Sequence, residues 1–224
     1  MLQSYNWITE KARNKDDFWK IFQIRRLVFD KVHVQYPLGE PCAHLGRFFR
    51  ADALLEYWAT CHKEEMLAEI AGSMNEWTSE EDIDFDVIFA PNQPVVRKIV
   101  EAFISARTDK ETRMALWEYL PTGRFGDKLV SGEIKPGDRV LVYNAVSIQG
   151  RCIGERLPSF AEALGGEVVA IACFAKGTTP KVRELEEKWG NKFYSAIQID
   201  IPVYKPEDCP MCKAGEKLIP WTEL

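Results

Sequence analysis

The sequence is poor in histidine, has no excess of positive charge and contains no long apolar run. Its 224 residues include three histidines and carry a net charge of −5. A general nucleic-acid binder needs a basic face, because its affinity comes from releasing counterions from phosphates. A membrane span needs roughly 18 consecutive apolar residues, which no segment provides. We therefore expect a protein that binds neither nucleic acid in general nor a membrane.

The chain also lacks the motifs of several common enzyme classes and the features of a secreted protein. It contains no His-Glu-x-x-His motif, Walker A loop, Gly-x-Ser-x-Gly elbow or Gly-x-Gly-x-x-Gly fingerprint. Residues 1–20 are polar and charged, whereas a signal peptide has an apolar centre. Six cysteines in such a chain do not indicate a disulfide framework. These absences predict a cytoplasmic protein.

The clearest positive signal is a strand, loop, helix and strand in the second half of the chain. Val140–Tyr143 is a β-prone apolar run without clean alternation, which is typical of a parallel strand covered on both faces. Apolar residues recur at three- and four-residue steps across 152–164, and Gly165 and Gly166 end that helix. Val168–Phe174 is the next buried strand. We predict an α/β fold with a mainly parallel sheet and flanking helices.

The loop after the first of these strands is the first candidate site. A parallel crossover places residues 144–151 at the carboxyl edge of the sheet, where open α/β sheets bind ligands. The helix that follows offers unpaired backbone N–H groups to an anion. The position of the loop therefore predicts a phosphate site.

The residues of this loop resemble the phosphoribosyl-pyrophosphate (PRPP) loop of type I phosphoribosyltransferases, which has two acids after a hydrophobic strand, two further residues, and Thr-Gly-Gly-Thr or a close variant. Here Asn144 and Ala145 stand in place of the acids, Gly150 retains one glycine and Arg151 replaces the next. The resemblance implies a degenerate site for ribose hydroxyls and a 5′-phosphate, with Asn144 as a catalytic candidate. The binding residues that it implies are Asn144, Ala145, Ser147, Ile148, Gln149, Gly150 and Arg151.

Other segments extend the resemblance. Residues 204–221, YKPEDCPMCKAGEKLIPW, are similar to the C-terminal segment of orotate phosphoribosyltransferase-like proteins, in which a Cys-Pro-x-Cys turn leads into a Gly and a Pro. Residues 132–144 resemble the approach to the family's PRPP strand, and residues 44–55 resemble its early region more weakly. The resemblance implies a phosphoribosyltransferase-like domain over residues 44–224, preceded by an N-terminal helical segment or hood over residues 1–43.

Hydrophobic patterns outline the remaining elements. Aromatic and apolar residues within 1–36 indicate one or two helices. These either form a hood over a base pocket, as the resemblance implies, or pack on the sheet or on a partner subunit. A second helical stretch covers Leu54–Met74, Val87–Ala90 is predicted as a short buried strand, and Val95–Ala106 as its crossover helix.

Residues 89–95 correspond in position to the family's pyrophosphate-binding loop. Asn92 and Gln93 are therefore candidate phosphate donors, although Pro94 lacks the N–H that would bind a phosphate. The alternative is a rigid turn between a strand and a helix.

The segment between Arg107 and Gly132 corresponds to the family's flexible loop. Its cations Arg113, Arg124 and Lys128 are candidate catalytic residues, because they could stabilise a departing pyrophosphate. A charged surface hairpin would have the same pattern.

Cys209 and Cys212 form a Cys-x-x-Cys pair, whose thiolates can converge on tetrahedral zinc. A structural site needs two more ligands, for which we select Cys42 and His44 from the candidates Cys42, His44, Cys61 and His62. A plain turn with reduced thiols is an open alternative. A redox pair is less favoured, because the motif is expected in coil and not at the start of a helix that follows a strand.

Two hypotheses of function follow. In the first, the resemblance implies a transferase that moves phosphoribosyl from PRPP to a pyrimidine-like base such as orotate, with Mg²⁺ as cofactor. The cysteine pair makes zinc a candidate further metal. In the second, the protein is a non-catalytic homologue that binds a nucleotide or phosphate, or serves as an interaction or regulatory subunit. The family also implies a homodimer. Because a lost charge-assisted hydrogen bond costs about 1.5–3 kcal/mol, the two missing acids predict slow PRPP turnover.

Overall fold

A computed structural model describes residues 28–36, 43–49, 63–107, 110–220 and 223. In chain order the strands are β1 (Val28–Tyr36), β2 (Ala43–Phe49), β3 (Val87–Pro91), β4 (Arg113–Tyr119), β5 (Phe125–Ser131), β6 (Arg139–Ser147), β7 (Glu167–Lys176), β8 (Phe193–Gln198), β9 (Val203–Tyr204) and β10 (Ile219–Pro220). The α-helices are α1 (Lys63–Glu80), α2 (Pro94–Ala106), α3 (Leu157–Ala163), α4 (Pro180–Trp189) and α5 (Pro210–Lys213).

The larger sheet has the strand order β5-β4-β3-β6-β7-β8. All neighbouring pairs are parallel except β4 and β5, which form an antiparallel hairpin at one side. The mainly parallel sheet predicted from the sequence is therefore confirmed.

Side-chain alternation along β6 shows why its apolar run is continuous. Val140 and Val142 pack into one core cluster with Leu157 of α3. Leu141 and Tyr143 pack into the other, which also contains Phe103 of α2. Because helices cover both faces, neither set of alternate residues can be polar.

The helix expected over residues 152–164 begins as a π-helical turn, Cys152–Arg156, and continues as α3. A Cβ on Gly154 would lie 2.3 Å from Leu185 Cδ2, so the absence of a side chain lets this turn approach α4. Gly165 follows with φ +92°, as expected for a glycine that ends a helix.

The smaller sheet has the order β10-β1-β2-β9 and contradicts part of the sequence prediction. Residues 28–36 were predicted as helical, but they form β1, in which Val32 and Val34 flank the buried His33. Pairing with β2 and β10 overrides the helical spacing of the apolar residues. Residues 1–27, where the rest of the predicted helices fall, lie outside the described residues. The predicted boundary between an N-terminal segment (1–43) and a main domain (44–224) remains a prediction. Strand β1 lies before this boundary, and nearly all of its partner β2 lies after it.

The second predicted helix is confirmed over its described part and is longer than expected. It appears as α1, which continues to Glu80, while residues 54–62 lie outside the described part of the chain. Trp77 explains the extension, because its ring is buried and its Nε1 donates to the Asn191 carbonyl at 2.7 Å. Among the described helices, none combines the length and the apolar character needed to cross a membrane.

Candidate functional site

The topology places a crevice between the carboxyl ends of β3 and β6. From β3 the chain crosses through α2 to β4 on one side, and from β6 it crosses through α3 to β7 on the other. Ligands bind in open α/β sheets where the strand order reverses in this way. Asn92 and Gln93 follow β3, and residues 148–151 follow β6, so the two predicted phosphate segments lie at one edge of neighbouring strands.

The predicted phosphate loop is shorter than the sequence indicated. Strand β6 continues to Ser147 and pairs with β7 as far as Ser147 opposite Lys176. Residues 144–147 are therefore strand, because β7 supplies hydrogen-bonding partners beyond the apolar run. The connection to the π-helical turn is reduced to residues 148–151.

Asn144 is bound to its own backbone. Its Nδ2 donates to the Val146 carbonyl at 3.2 Å, and its Oδ1 accepts from the Ala145 N–H at 2.9 Å. Asn144 and Ala145 are 6% and 2% exposed. The amide thus uses both of its functional groups locally, while Ala145 offers no polar group to a ribose.

The turn after β6 is held tightly against the connection between β7 and α4. The Gly177 N–H donates to the Ser147 carbonyl at 2.9 Å, and the Thr179 hydroxyl donates to the Ile148 carbonyl at 3.1 Å. A Cβ on Gly177 would lie 2.5 Å from the Ile148 carbonyl oxygen. Gly150 has φ +75°, a conformation that favours glycine. The backbone of the turn is therefore preorganised.

Two hydroxyl groups on β6 are buried without a hydrogen-bonding partner in the described part of the chain. They belong to Tyr143 and Ser147. Burial raises the pKa of the Tyr143 phenol well above its ordinary value, so this group stays protonated. A buried hydroxyl without a partner carries an energetic cost, and that of Ser147 lies beside the turn.

Lys176 is a residue that the sequence prediction missed. It ends β7 opposite Ser147, and its ammonium group pairs with Glu186 of α4 and lies 5.8 Å from the centroid of the Phe193 ring. The side chain is 9% exposed. A lysine directly after the buried run of β7 was the available signal, because a charge there must lie at the carboxyl edge of the sheet.

Asn92 and Gln93 occupy the turn from β3 to α2. The Asn92 N–H donates to the Trp117 carbonyl at 2.7 Å, and its Oδ1 accepts from Arg97 Nη2 at 3.0 Å. Gln93 is the N-cap of α2, where Pro94 is tolerated because the first helical N–H has no partner within the helix. Arg97, which the sequence prediction also missed, adds a cation to this turn.

The three cations predicted for a flexible loop are separated by the β4–β5 hairpin. Arg113 begins β4 at the opposite, amino edge of the sheet, where its Nη2 lies 2.5 Å from Asp138 Oδ1. Lys128 lies on β5, 3.6 Å from Glu118 Oε1. Arg124 lies in the turn after β4, where its carbonyl accepts from the Leu120 N–H. The structure brings only Arg124 to the carboxyl end of a strand.

The donor set at the predicted ribose site does not suit a protein-held Mg²⁺ ion. Mg²⁺ prefers oxygen ligands, usually one or two carboxylates together with substrate phosphates. Positions 144 and 145 supply no carboxylate, and the Asn144 carbonyl oxygen already accepts a backbone N–H. The phosphates of a bound ligand would have to supply the coordination.

Of the four predicted metal ligands, the structure describes the side chains of two. Cys209 and Cys212 both approach His33 Nε2, at 3.5 and 3.4 Å. Cys42 lies outside the described residues, and His44 is described only through its backbone, which pairs with Tyr204. His33 was missed, because the pairing of β1 with the C-terminal strand could not be read from the sequence.

The cysteine motif itself differs from its predicted setting. It begins a helix, since Cys209 is the N-cap of the four-residue α5. The coil expected there is therefore wrong, although a 3₁₀ turn and not a strand precedes the helix. Among the other cysteines, burial raises the pKa of the Cys173 thiol to about 12, in keeping with its predicted place in the core.

No protein-family model matches the chain. In sequence it is similar to orotate phosphoribosyltransferases. That of Thermotoga maritima is 35% identical over 82 residues, which cover 37% of this chain and 41% of the relative. That of Carboxydothermus hydrogenoformans is 31% identical over 86 residues, covering 38% and 42%. The chain thus spans about two fifths of the length of these relatives.

Solved structures extend the likeness across most of the fold. Orotate phosphoribosyltransferase of Mycobacterium tuberculosis H37Rv, in complex with inorganic phosphate, superposes with a TM-score of 0.53 at 19% identity, covering 85% of this chain and 92% of the other. The enzyme of Aeropyrum pernix gives 0.55 at 12% identity, covering 80% and 92%. The fold is that of the type I phosphoribosyltransferases. The sequence relatives reported above, orotate phosphoribosyltransferases of two bacteria, match about two fifths of their own length.

Proposed function

We propose that the crevice between β3 and β6 binds PRPP and that the chain transfers its phosphoribosyl group to a pyrimidine-like base such as orotate. The observation that carries this proposal is the preorganised turn at residues 148–150, held by Gly177 and Thr179 at the switch point of the sheet. The sequence similarity to orotate phosphoribosyltransferases supports it.

In this proposal the turn at residues 148–151 and the start of the π-helical turn Cys152–Arg156 bind the 5′-phosphate through backbone N–H groups and the Ser147 hydroxyl. Arg97 and Asn92 bind the pyrophosphate across the crevice. Mg²⁺, carried in by the phosphates, would supply additional charge neutralisation. Positioning of the two substrates and stabilisation of the departing pyrophosphate supply most of the rate enhancement.

The second candidate is a non-catalytic relative that binds a phosphate or a nucleotide, or acts as an interaction or regulatory subunit. The hydrogen bonds of the Asn144 side chain to the neighbouring backbone favour this candidate. Neither Asn144 nor Ala145 supplies a carboxylate that could bind the ribose hydroxyls. In this case the turn retains its ligand while transfer to a base is lost.

Calorimetric titration with PRPP, with and without Mg²⁺, separates these candidates when it is combined with an assay of pyrophosphate release. The first candidate predicts binding and release of pyrophosphate with orotate or another base. Binding of PRPP or nucleoside monophosphate without release supports the second. If millimolar PRPP gives no heat and no release, the first candidate is wrong.

A matched set of variants tests the assignment of the crevice. Asn144→Asp with Ala145→Asp should tighten PRPP binding in the presence of Mg²⁺ by about tenfold or more, since each charge-assisted hydrogen bond contributes about 1.5–3 kcal/mol. Lys135→Gln, at the exposed amino edge, is the control and should leave binding unchanged. Equal effects of both changes would contradict the assignment.

The homodimer and the cytoplasmic location stay predictions. Analytical ultracentrifugation of the purified chain tests the first, and fractionation of the cells that produce it tests the second.

A further inference from the structure

We propose that His33, Cys209 and Cys212 bind one thiophilic divalent ion, Zn²⁺, which joins β1 to the C-terminal turn. Their ligand atoms lie within 4.8 Å of one another. This site is separate from the proposed PRPP crevice, because it belongs to the smaller sheet and not to the carboxyl edge of the larger one. The inference therefore goes beyond the proposed function.

The distances from the His33 nitrogen to the two sulfurs match those around a tetrahedral zinc ion. With Zn–S near 2.3 Å and Zn–N near 2.05 Å, tetrahedral angles separate a sulfur and a nitrogen ligand by about 3.6 Å. The observed distances from His33 Nε2 are 3.5 Å to Cys209 Sγ and 3.4 Å to Cys212 Sγ. Two thiolates with one imidazole favour zinc over the hard, oxygen-seeking Mg²⁺.

The orientation of the His33 ring also fits a metal ligand. Its Nδ1 lies 3.0 Å from the Glu216 carbonyl oxygen, which can only accept a hydrogen bond, so Nδ1 carries the proton. Nε2 is then the unprotonated nitrogen, with a single lone pair that faces both sulfurs. A single metal ion placed between these three atoms could bind all of them. Metal-bound histidines commonly have such a carbonyl partner.

The local sequence builds this arrangement. Cys209 caps α5, Pro210 begins it, and Cys212 follows three residues after Cys209, on the same side of the helix. Gly215, with φ +73°, turns the chain after the helix and brings the Glu216 carbonyl to His33. The Cys-x-x-Cys-x-x-Gly pattern thus supplies two ligands and the group that orients the third.

The ion would secure the C-terminal segment, whose two strands in the smaller sheet are short. β9 and β10 each have two residues, yet they attach the C-terminal segment to strands 28–36 and 43–49. Cys209 is fully buried, whereas Cys212 is exposed, so one side of the site faces solvent. A water molecule would complete the tetrahedron on that side, and variants of Cys42 and His44, the further ligands predicted from the sequence, test the alternative. The register places His44 opposite Gln35, two residues along β1 from His33.

Metal analysis of the full chain, purified under reducing conditions, tests the site directly. We expect about one zinc per chain by inductively coupled plasma mass spectrometry. After exchange with Co²⁺ we expect intense thiolate-to-metal charge-transfer absorption. Cys212→Ser and His33→Ala should lose both signals, while His33→Cys should retain the metal because a thiolate can replace the imidazole. Cys152→Ser, outside the cluster, is the matched control.

A second measurement covers the case in which these variants fail to fold. A chelator added to the wild-type chain should lower its thermal midpoint, and Zn²⁺ should restore it. The proposal is overturned if the wild-type chain takes up neither Zn²⁺ nor Co²⁺, or if Cys209 and Cys212 form a disulfide with a thiol-reversible mass shift. Cys42→Ser and His44→Ala then identify the fourth ligand. A weaker Zn²⁺ affinity in either variant indicates a protein ligand, and unchanged affinity in both indicates water. PRPP binding is measured separately, so failure of one proposal leaves the other in place.

Discussion

The two edges of the larger sheet use their polar groups in different ways. At the amino edge, acids and bases are paired with one another through Asp84, Asp86, Lys110 and Arg139. At the carboxyl edge, the structure leaves the Ser147 hydroxyl without a described partner and pairs Lys176 in a largely buried position. The difference indicates that charge holds strands together at the amino edge, while the carboxyl edge leaves the Ser147 hydroxyl for a ligand.

At the amino edge, Asp86 connects three strands. Its N–H donates to the Arg139 carbonyl and its Oδ2 accepts from the Arg139 N–H, both at 2.8 Å, while its carbonyl accepts from the Arg113 N–H at 2.9 Å. Every one of these bonds is internal to the protein. A ligand that bound these backbone groups would have to displace them.

Among the changes considered, Lys176→Met should lower the free energy of unfolding most. This change leaves the Glu186 carboxylate without its partner, and breaking a buried ion pair costs about 3–5 kcal/mol. Because the Glu186 side chain is 23% exposed, we expect a loss near 3 kcal/mol, measured by urea unfolding. Lys176→Met with Glu186→Leu is the control and should recover most of the stability. No recovery in the double variant would indicate a packing defect.

Gly177→Ala should have the next largest effect. The added Cβ would lie 2.5 Å from the Ile148 carbonyl oxygen, which belongs to the backbone and cannot rotate away. Overpacking of this kind costs about 1–3 kcal/mol, and PRPP binding should fall with it because the turn must shift. Chemical unfolding and calorimetry measure the two effects.

The control for this change is Gly72→Ala in α1. Nothing lies within 4 Å of the added Cβ, and the residue is helical. It should stabilise the fold by about 0.4–1 kcal/mol. If Gly177→Ala behaved like this control, the turn would not be held as the structure indicates.

Asn144→Asp should cost about 1.5 kcal/mol in the absence of ligand. The new carboxylate would stand near the Val146 carbonyl in place of a donor at 3.2 Å, so one hydrogen bond becomes a repulsion. Thermal unfolding with and without PRPP and Mg²⁺ measures the change. We expect the ligand to reverse part of the loss, whereas Asn144→Ala should show no such reversal.

The sequence predicted three strands of the larger sheet, β3, β6 and β7, because their signals are local. Continuous apolar runs such as Val140–Tyr143, and three- and four-residue periodicity in Val95–Ala106, report burial without knowledge of distant partners. Both elements appear where they were expected. The smaller sheet was not predicted, because β1 owes its strand conformation to pairing with β2 and β10, and β10 lies at the other end of the chain.

The candidate site was predicted in position but not in detail. The topology of a strand, crossover helix and strand suffices to place residues 144–151 at the carboxyl edge. The inward hydrogen bonding of Asn144, the pair of Lys176 with Glu186 and the approach of His33 to Cys209 depend on side-chain geometry between separate elements. No residue pattern within a single segment contains that information.

The smallest expected effect concerns the amino edge and its dependence on pH. Hydrogen bonds from Lys110 lower the pKa values of Asp84 and Asp86 below their ordinary value of 3.8. Since the folded pKa lies below the unfolded one, the resulting stability is present above about pH 4 and is lost as the pH falls through the lowered values. Lys110→Gln should therefore cost about 0.5–1 kcal/mol at pH 7, as exposed pairs do, and nothing at the acid end. Urea unfolding of both chains from pH 7 to pH 2 measures this. Curves that stay parallel to acid pH would show that Lys110 acts through packing, and the amino edge would then owe its stability to the backbone bonds of Asp86.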